Sequence, residues 1–284
     1  MSKITPFIRC ESNAAELAAY YLSIFPESTL CDQHAIVTTI EIFGQTLGFI
    51  NGGVHAKPNP SISFSLWIKD KALCDTLRNK LSDDGQVMME YQAYERSPAY
   101  GRCNDKYGVS RQVMLDDRAE TTTNAMIPSM MFIGANNGKT KEAMDYYCSL
   151  FPSSAIDFTR PYGENAMGEN PEHLNHAEFK LSGQQFIAMD SGMNHAFQFD
   201  DGVSLSISCD GQEEVDHYRN HFVQDGGAES QCGRCKDKYG VSRQVVPVQV
   251  LEAMFKNPDQ AKADYAMQAM MKMKKIVIEE LFQK

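Results

Sequence analysis

The sequence predicts an α+β fold of two tandem domains, each built from two βαβββ units forming a curved mixed sheet (a cup), with a C-terminal helical tail. Three observations predict it. The stretch Gly101-Arg102-Cys103-Asn104-Asp105-Lys106-Tyr107-Gly108-Val109-Ser110-Arg111-Gln112-Val113 returns as Gly233 to Val245, and only Asn104 against Lys236 differs. Identity of that extent marks an internal duplication. The length, 284 residues, suits two domains at about 150 residues each. Between the repeated stretches, short apolar strands alternate with segments of helical periodicity. The expected limits are 1–117 and 126–247 for the domains, 118–125 for the linker and 248–284 for the tail.

Each element has a local reason. Ile4 to Cys10 and Ile127 to Ile133 are short apolar strands. Ala15 to Pro26 aligns with Lys141 to Pro152, and Leu17, Tyr21, Ile24 and Phe25 stand at helical spacing. Asn13 with Glu16 resembles a capping box, and Pro26 and Pro152 stop the two helices. A hairpin follows in each copy, with turns expected at Gly44-Gln45 and Gly183-Gln184 as type II′. Ser61 to Leu66 and Val203 to Ser208 alternate polar and apolar, as a strand with two unlike faces does. Second helices are expected over Lys71 to Leu81 and Gln212 to Phe222. Asp116 to Ala125 is polar and Thr-rich, a joining segment. Leu251 to Phe255, Ala261 to Met273 and Ile276 to Phe282 have helical spacing and no counterpart in the first half.

Composition excludes several partners. With 27 Lys+Arg against 37 Asp+Glu the net charge is -10, which disfavours nucleic acid and anionic membranes. No apolar run approaches the ~18 residues of a membrane span, and a cytoplasmic location is expected. The 8 cysteines read as reduced thiols in a chain of this size.

The order of elements, with Tyr-Tyr-x-Ser-hydrophobic-Phe-Pro and Lys-Asp-Lys-Tyr-Gly-Val-Ser-x-Gln, resembles the PhnB-like group of the vicinal oxygen chelate superfamily (glyoxalase, bleomycin resistance, extradiol dioxygenase). Members often carry the label 3-demethylubiquinone-9 3-methyltransferase. The resemblance implies glyoxalase-like domains, a small-molecule ligand in the cup, and pairing of the two domains within the chain, with a homodimer as a further option. It also implies a metal held by His, Glu or Gln on strands. Aligning the family's last turn on Asp237 to Val241 puts Gln244 at the final ligand position, and Gln112 in the first copy. The first-strand region holds Pro6, Phe7, Pro128 and Met130, and the fifth-strand position falls near Ser61 and Val203. No cofactor is therefore expected beyond a weakly bound divalent metal, with His176, Glu178 and Gln244 as its weak candidate ligands.

The copies differ where chemistry is expected. The second gains 13 residues before its hairpin, the offset rising from 126 (141 minus 15) to 139 (183 minus 44). The inserted loop contains Tyr162 and leads into His176-Ala177-Glu178-Phe179. Alternation puts His176 and Glu178 on one face; the first copy has Val37 and Thr39 there. His176 and Glu178 are the candidate catalytic pair, or else a polar strand face. Gln244, Arg243, Tyr162, Asp190, His195 and Gln112 are candidate substrate-binding residues. Arg111 and Arg243 otherwise read as rim cations. Two-residue hairpin counting pairs Asp190 with Ala177. A separate reading sets His217 and His221 with Cys232 and Cys235 as a zinc site. The functions to weigh are a lyase, isomerase or dioxygenase-type enzyme, a metal-independent binding or sequestering protein, and the labelled methyltransferase, which lacks a Gly-rich loop for its cofactor.

Overall fold

The computed structural model describes residues 3–95, 97–119, 122–164 and 168–282. The chain runs β1 (Ile4–Cys10), α1 (Ala14–Ile24), β2 (Ser28–Gln33), β3 (Val37–Ile42), β4 (Gln45–Asn51), β5 (Ile62–Ile68), α2 (Lys71–Ser82), β6 (Gln86–Tyr94), β7 (Ser97–Asn104) and β8 (Ser110–Leu115). It continues with β9 (Ala125–Ile133), α3 (Thr140–Leu150), β10 (Ala155–Pro161), β11 (Leu174–Leu181), β12 (Gln184–Ser191), β13 (Val203–Cys209), α4 (Gln212–Val223), β14 (Ala228–Glu229), β15 (Arg234–Lys236) and β16 (Ser242–Pro247). Then come α5 (Gln249–Met254), α6 (Gln260–Lys272) and a 3-10 turn at Ile278–Leu281. The strand-helix-three-strand unit thus occurs four times.

The strands form two mixed eight-stranded sheets. One has the order β10-β11-β12-β9-β5-β8-β7-β6, the other β14-β15-β16-β13-β1-β4-β3-β2. Each sheet therefore joins one βαβββ unit from each half of the sequence. In the first sheet β5 and β9, the opening strands of their units, pair antiparallel at the centre. Each runs parallel to the closing strand of its own unit, β8 and β12. Two compact units can be distinguished, Ile8–Gln198 and Met1–Phe7 with Phe199–Lys284. No helix among the described residues is long and apolar enough to cross a membrane.

Helix α1 buries Leu17, Ala18, Tyr21 and Ile24, the stripe that helical spacing predicts. It ends because Phe25, before a proline, takes the extended backbone that proline imposes on its predecessor. Its start differs from expectation. Asn13 makes no side-chain cap; instead Asn51, at the end of β4, accepts from Ala14 N at 2.9 Å. Both hairpin turns also shift by one residue. Phe43 and Gly44, and likewise Ser182 and Gly183, have positive φ, which makes the turns type I′ rather than II′. Ile42 then pairs with Gln45, and Ala177 with Ala188 rather than with Asp190.

The tail packs within its own compact unit. Val250, Ala253, Met254, Ala266, Met273, Ile276 and Leu281 form one core. Gln212, at the start of α4, donates to Ile276 O and accepts from Ile278 N, so the last segment is tied to that helix at both polar ends of one side chain.

Candidate functional site

The face of the first sheet opposite α2 and α3 carries the candidate site, and strand register assigns its members. Glu178 is opposite Ile187, Ile187 beside Ser129, and Ser129 opposite Ser63. On the next strand Gln112 lies beside Ser65. Residues paired across a ladder share a face, so Glu178, and His176 two residues before it, share theirs with Gln112. The same face carries Trp67, Ile127, Met131, Ile187 and Met189, which pack into one buried cluster with Phe197 against it.

At one rim of this apolar floor a chain of charged groups is assembled. His176 Nε2 lies 3.1 Å from Glu178 Oε1, and Gln185 Nε2 donates to Glu178 Oε2 at 3.2 Å. Arg118 Nη1 stands 3.7 Å from Glu178 Oε1. Arg118 is itself fixed: its Nε donates to Asp116 Oδ1 at 2.8 Å and its guanidinium lies 4.0 Å over the Trp67 ring. Such stacking and ion pairing hold a planar cation in one orientation. The His176 and Glu178 side chains are 17% and 16% exposed, while Ala177 and Phe179, alternating with them, are fully buried on the helix side. Sequence reasoning missed Arg118, which falls in the stretch read as linker, and Trp67. The available signal was that the single Trp of the chain continues the polar register Ser63, Ser65 of its strand.

Gln112 is committed elsewhere on the face. Tyr100 donates its hydroxyl to Gln112 Oε1 at 3.0 Å, and Gln112 Nε2 donates to Ser63 Oγ at 3.0 Å. Gln244 repeats the arrangement on the other sheet, donating to Ser204 Oγ at 2.6 Å. Gln244 is therefore not on the face of His176 and Glu178; Gln112 is. Ser63, Ser65 and Ser129 lie on this face, with Ser61 on the same side by alternation, while Pro128 and Met130 pair with Phe64 and Ile62 on the helix side; on the other sheet Ser204, not Val203, shares a face with Gln244. Glu178 and Gln112 are separated by four strand steps, roughly 19 Å along the sheet.

A divalent metal does not fit these residues. The donors at the family's ligand positions are an amide and hydroxyls bonded to each other, and such neutral groups hold divalent ions weakly. Among the described residues no group of three His, Cys, Asp or Glu side chains is disposed to hold a metal. The zinc set read from the sequence is not brought together among them either; His217 and His221 pack ring against ring at 4.6 Å.

Three remaining candidates serve the scaffold in this structure. Arg243 is fully buried, which corrects its reading as a rim cation; its Nε and Nη2 donate to Asp237 Oδ2 at 3.0 and 2.8 Å. Asp237 Oδ1 meanwhile accepts from Tyr239 N and Val241 N. The repeated Asp-Lys-Tyr-Gly-Val-Ser-Arg is thus an Asx-type turn tied to a buried cation. The first copy keeps the turn through Asp105, but there Arg111 stands 3.5 Å from Asp105 Oδ2 as an ion pair, and the Tyr21 hydroxyl donates to that oxygen at 2.5 Å. Asp190 is buried and accepts from Gly138 N, Thr140 N, Thr140 Oγ1 and Leu174 N. The strand-to-helix turn Gly138-Lys139-Thr140 so spends its anion-facing donors on the chain's own carboxylate. Tyr162 donates its hydroxyl to Asp190 O at 2.9 Å and fastens the inserted loop. His195 packs on Phe197 and contacts Ser191 Oγ at 2.9 Å; burial first, then the Arg102 charge, lowers its pKa.

These features define a two-sheet α+β protein with a glyoxalase-like fold. The chain belongs to the family described as 3-demethylubiquinone-9 3-methyltransferase, whose profile matches residues 2–114 and again 124–246. It is similar to glyoxalase I from Zea mays, with TM-score 0.55 and 11% identity over 86% of this chain and 91% of that one; at that identity the fold is what is shared. A PhnB protein from Bacillus cereus, described under the same methyltransferase name, is 36% identical over 42% of this chain and 96% of that one, with TM-score 0.39. No curated protein matches the chain.

Proposed function

We propose that the chain binds a small oxygenated organic molecule on the His176–Glu178–Gln112 face of the first sheet, without help from a divalent metal. The observation that carries this is Glu178: a carboxylate held by His176, Gln185 and Arg118 at the rim of a floor of Trp67, Ile127, Met131, Ile187 and Met189. An apolar floor with a few converging polar groups is how small-molecule sites are built. In this reading the floor takes the ligand's carbon skeleton and the rim takes its oxygens. Gln112 shapes the far side, while Gln244, Arg243, Asp190 and Tyr162 hold the frame. His195 lies at the Phe197 edge of the floor. The copies 1–117 and 126–247 act as the two glyoxalase-like domains, with the working face relying on side chains from both, and the eight free thiols suit a cytoplasmic protein.

A second reading rests on the 3.1 Å contact between His176 and Glu178. Glu178 takes a proton from a carbon beside the ligand's carbonyl, and His176 holds the carboxylate in line. That is lyase or isomerase chemistry. Methyl transfer is not part of either reading, because the sheets are mixed rather than the doubly wound parallel kind that holds a nucleotide-type cofactor at a switch point.

The test is a melting-shift screen of small aromatic and α-oxygenated compounds, followed by calorimetry of the hits. Saturation at about 100 times Kd is expected to add ~2.7 kcal/mol of stability. Glu178→Gln should abolish the shift while excess EDTA leaves it unchanged. A hit that requires added Mn or Zn, or that survives Glu178→Gln intact, would remove the proposal.

A further inference from the structure

A cavity of about 360 Å³ opens where the end of β1, the start of α1, the loop 52–61 and the turn between β7 and β8 meet. It lies on none of the residues of the Glu178 face. Three cations line it from three separate segments: Arg9 on β1, Lys57 on the loop and Lys106 on the turn. Glu11 is the one carboxylate among its lining residues. An excess of positive charge in a hollow is notable in a chain of net charge -10, because it sets a local potential opposite to the protein's mean field. The adjacent Cys10 adds no negative charge, since burial pushes its thiol up to about 11.

The cations are placed by the fold. Asp105 Oδ1 accepts from Tyr107 N and Val109 N, so the turn presenting Lys106 is rigid, and its ammonium sits 4.4 Å over the Tyr20 ring. Arg9 Nη1 donates to Gly52 O. Gly52 leaves the room that Arg9 fills, for a Cβ there would fall 2.6 Å from Arg9 Nη1. Apart from Asn13 the remaining wall is largely apolar, with Leu17, Pro58 and Tyr107. The second copy has no equivalent: counting from the aligned His55 and His195, Phe197 stands where Lys57 does.

We propose that this cavity binds a small organic oxyanion, a phosphate or carboxylate joined to an apolar or aromatic body. The oxyanion meets Lys57, Lys106 and Arg9, and the body lies along Leu17, Pro58 and Tyr107. Charge-assisted contacts of this kind dominate recognition of such anions. Calorimetry on the full chain tests it, with phenyl phosphate and benzoate as probes and inorganic phosphate as reference. One aromatic anion is expected to bind with Kd below about 1 mM at low salt, weakening as salt screens the cations. Tighter binding of phenyl phosphate identifies the phosphate, and tighter binding of benzoate the carboxylate. Lys57→Met should weaken binding ~10-fold, while Glu178→Gln should leave it unchanged. Lys57 is exposed, so this variant is expected to fold. Absence of binding by either probe overturns the proposal, as does wild-type affinity in Lys57→Met or loss of binding in Glu178→Gln. Inorganic phosphate binding as tightly as phenyl phosphate overturns the role of the apolar wall.

Discussion

At the end of its hairpin each copy sets one polar side chain under the start of its own first helix. In the first copy Asn51 accepts from Ala14 N and donates to Ala35 O. In the second, Asp190 accepts from Gly138, from Thr140 twice, and from Leu174. The position and purpose are shared; the charge and the number of partners are not. The carboxylate can hold the helix start and the returning end of the inserted loop together, because it is acceptor-only with sites for several donors. The amide spends half its capacity as a donor. The same contrast recurs along the chain. The Asp-turn-Arg staple and the Gln-Ser pair are kept in both copies, while Val37 and Thr39 become His176 and Glu178, and Lys57 becomes Phe197. Duplication preserved the bonds that hold each unit and let the loops and strand faces diverge.

The largest test of that contrast is on what is shared. Asp105→Ala and Asp237→Ala each leave a buried arginine without its carboxylate and should cost about 3–5 kcal/mol in urea unfolding. A mild loss in one copy alone would break the equivalence. Next come the caps. Asp190→Ala, which abandons four donors, three of them buried, should cost about 3 kcal/mol, whereas Asn51→Ala should cost about 1 kcal/mol, as the loss of a cap usually does. Equal losses would mean that the extra partners of Asp190 carry no energy. Smaller still, Tyr100→Phe removes one neutral hydrogen bond from Gln112 and should cost about 1 kcal/mol. It should also leave divalent-metal binding as weak as in the parent, read by calorimetry.

The fold was legible because its central strands and helices have a buried face that imposes a period. Helix α1 shows Leu17, Tyr21 and Ile24 at their spacing, and β5 shows Ser63 and Ser65 between Phe64 and Leu66. The edge strands β2, β6 and β10 were not placed by sequence, because they are largely exposed and carry no alternation. The turns were misplaced by one residue because a non-glycine, Phe43 or Ser182, takes a positive φ. Of the candidate site, His176 and Glu178 could be read from alternation alone. Which of the motif's glutamines shares their face could not: both Gln112 and Gln244 fit the repeated motif equally, and only the pairing of βαβββ units within each sheet puts Gln112 there. Arg118 was hidden because nothing in a polar stretch announces that one of its cations will stack on Trp67.

The least effect expected is also one in which the copies should agree. Cys103 and Cys235 occupy the same place in the repeated stretch, and burial pushes each thiol up from about 9 to about 11. The folded state therefore holds these protons where the unfolded chain has released them. With fewer protons bound unfolded than folded, stability falls as pH rises. The contribution is whole below about pH 9 and is lost progressively up to about pH 11. Each thiol should account for roughly 1 kcal/mol of the loss between pH 9 and 10. Urea unfolding at the two pH values, repeated on Cys103→Ala and Cys235→Ala, checks this. Either variant, though less stable at neutral pH, should show a shallower alkaline decline by the same amount. If only one does, the two thiols sit in unlike surroundings, and the copies have diverged there as they have around Arg111 and Arg243.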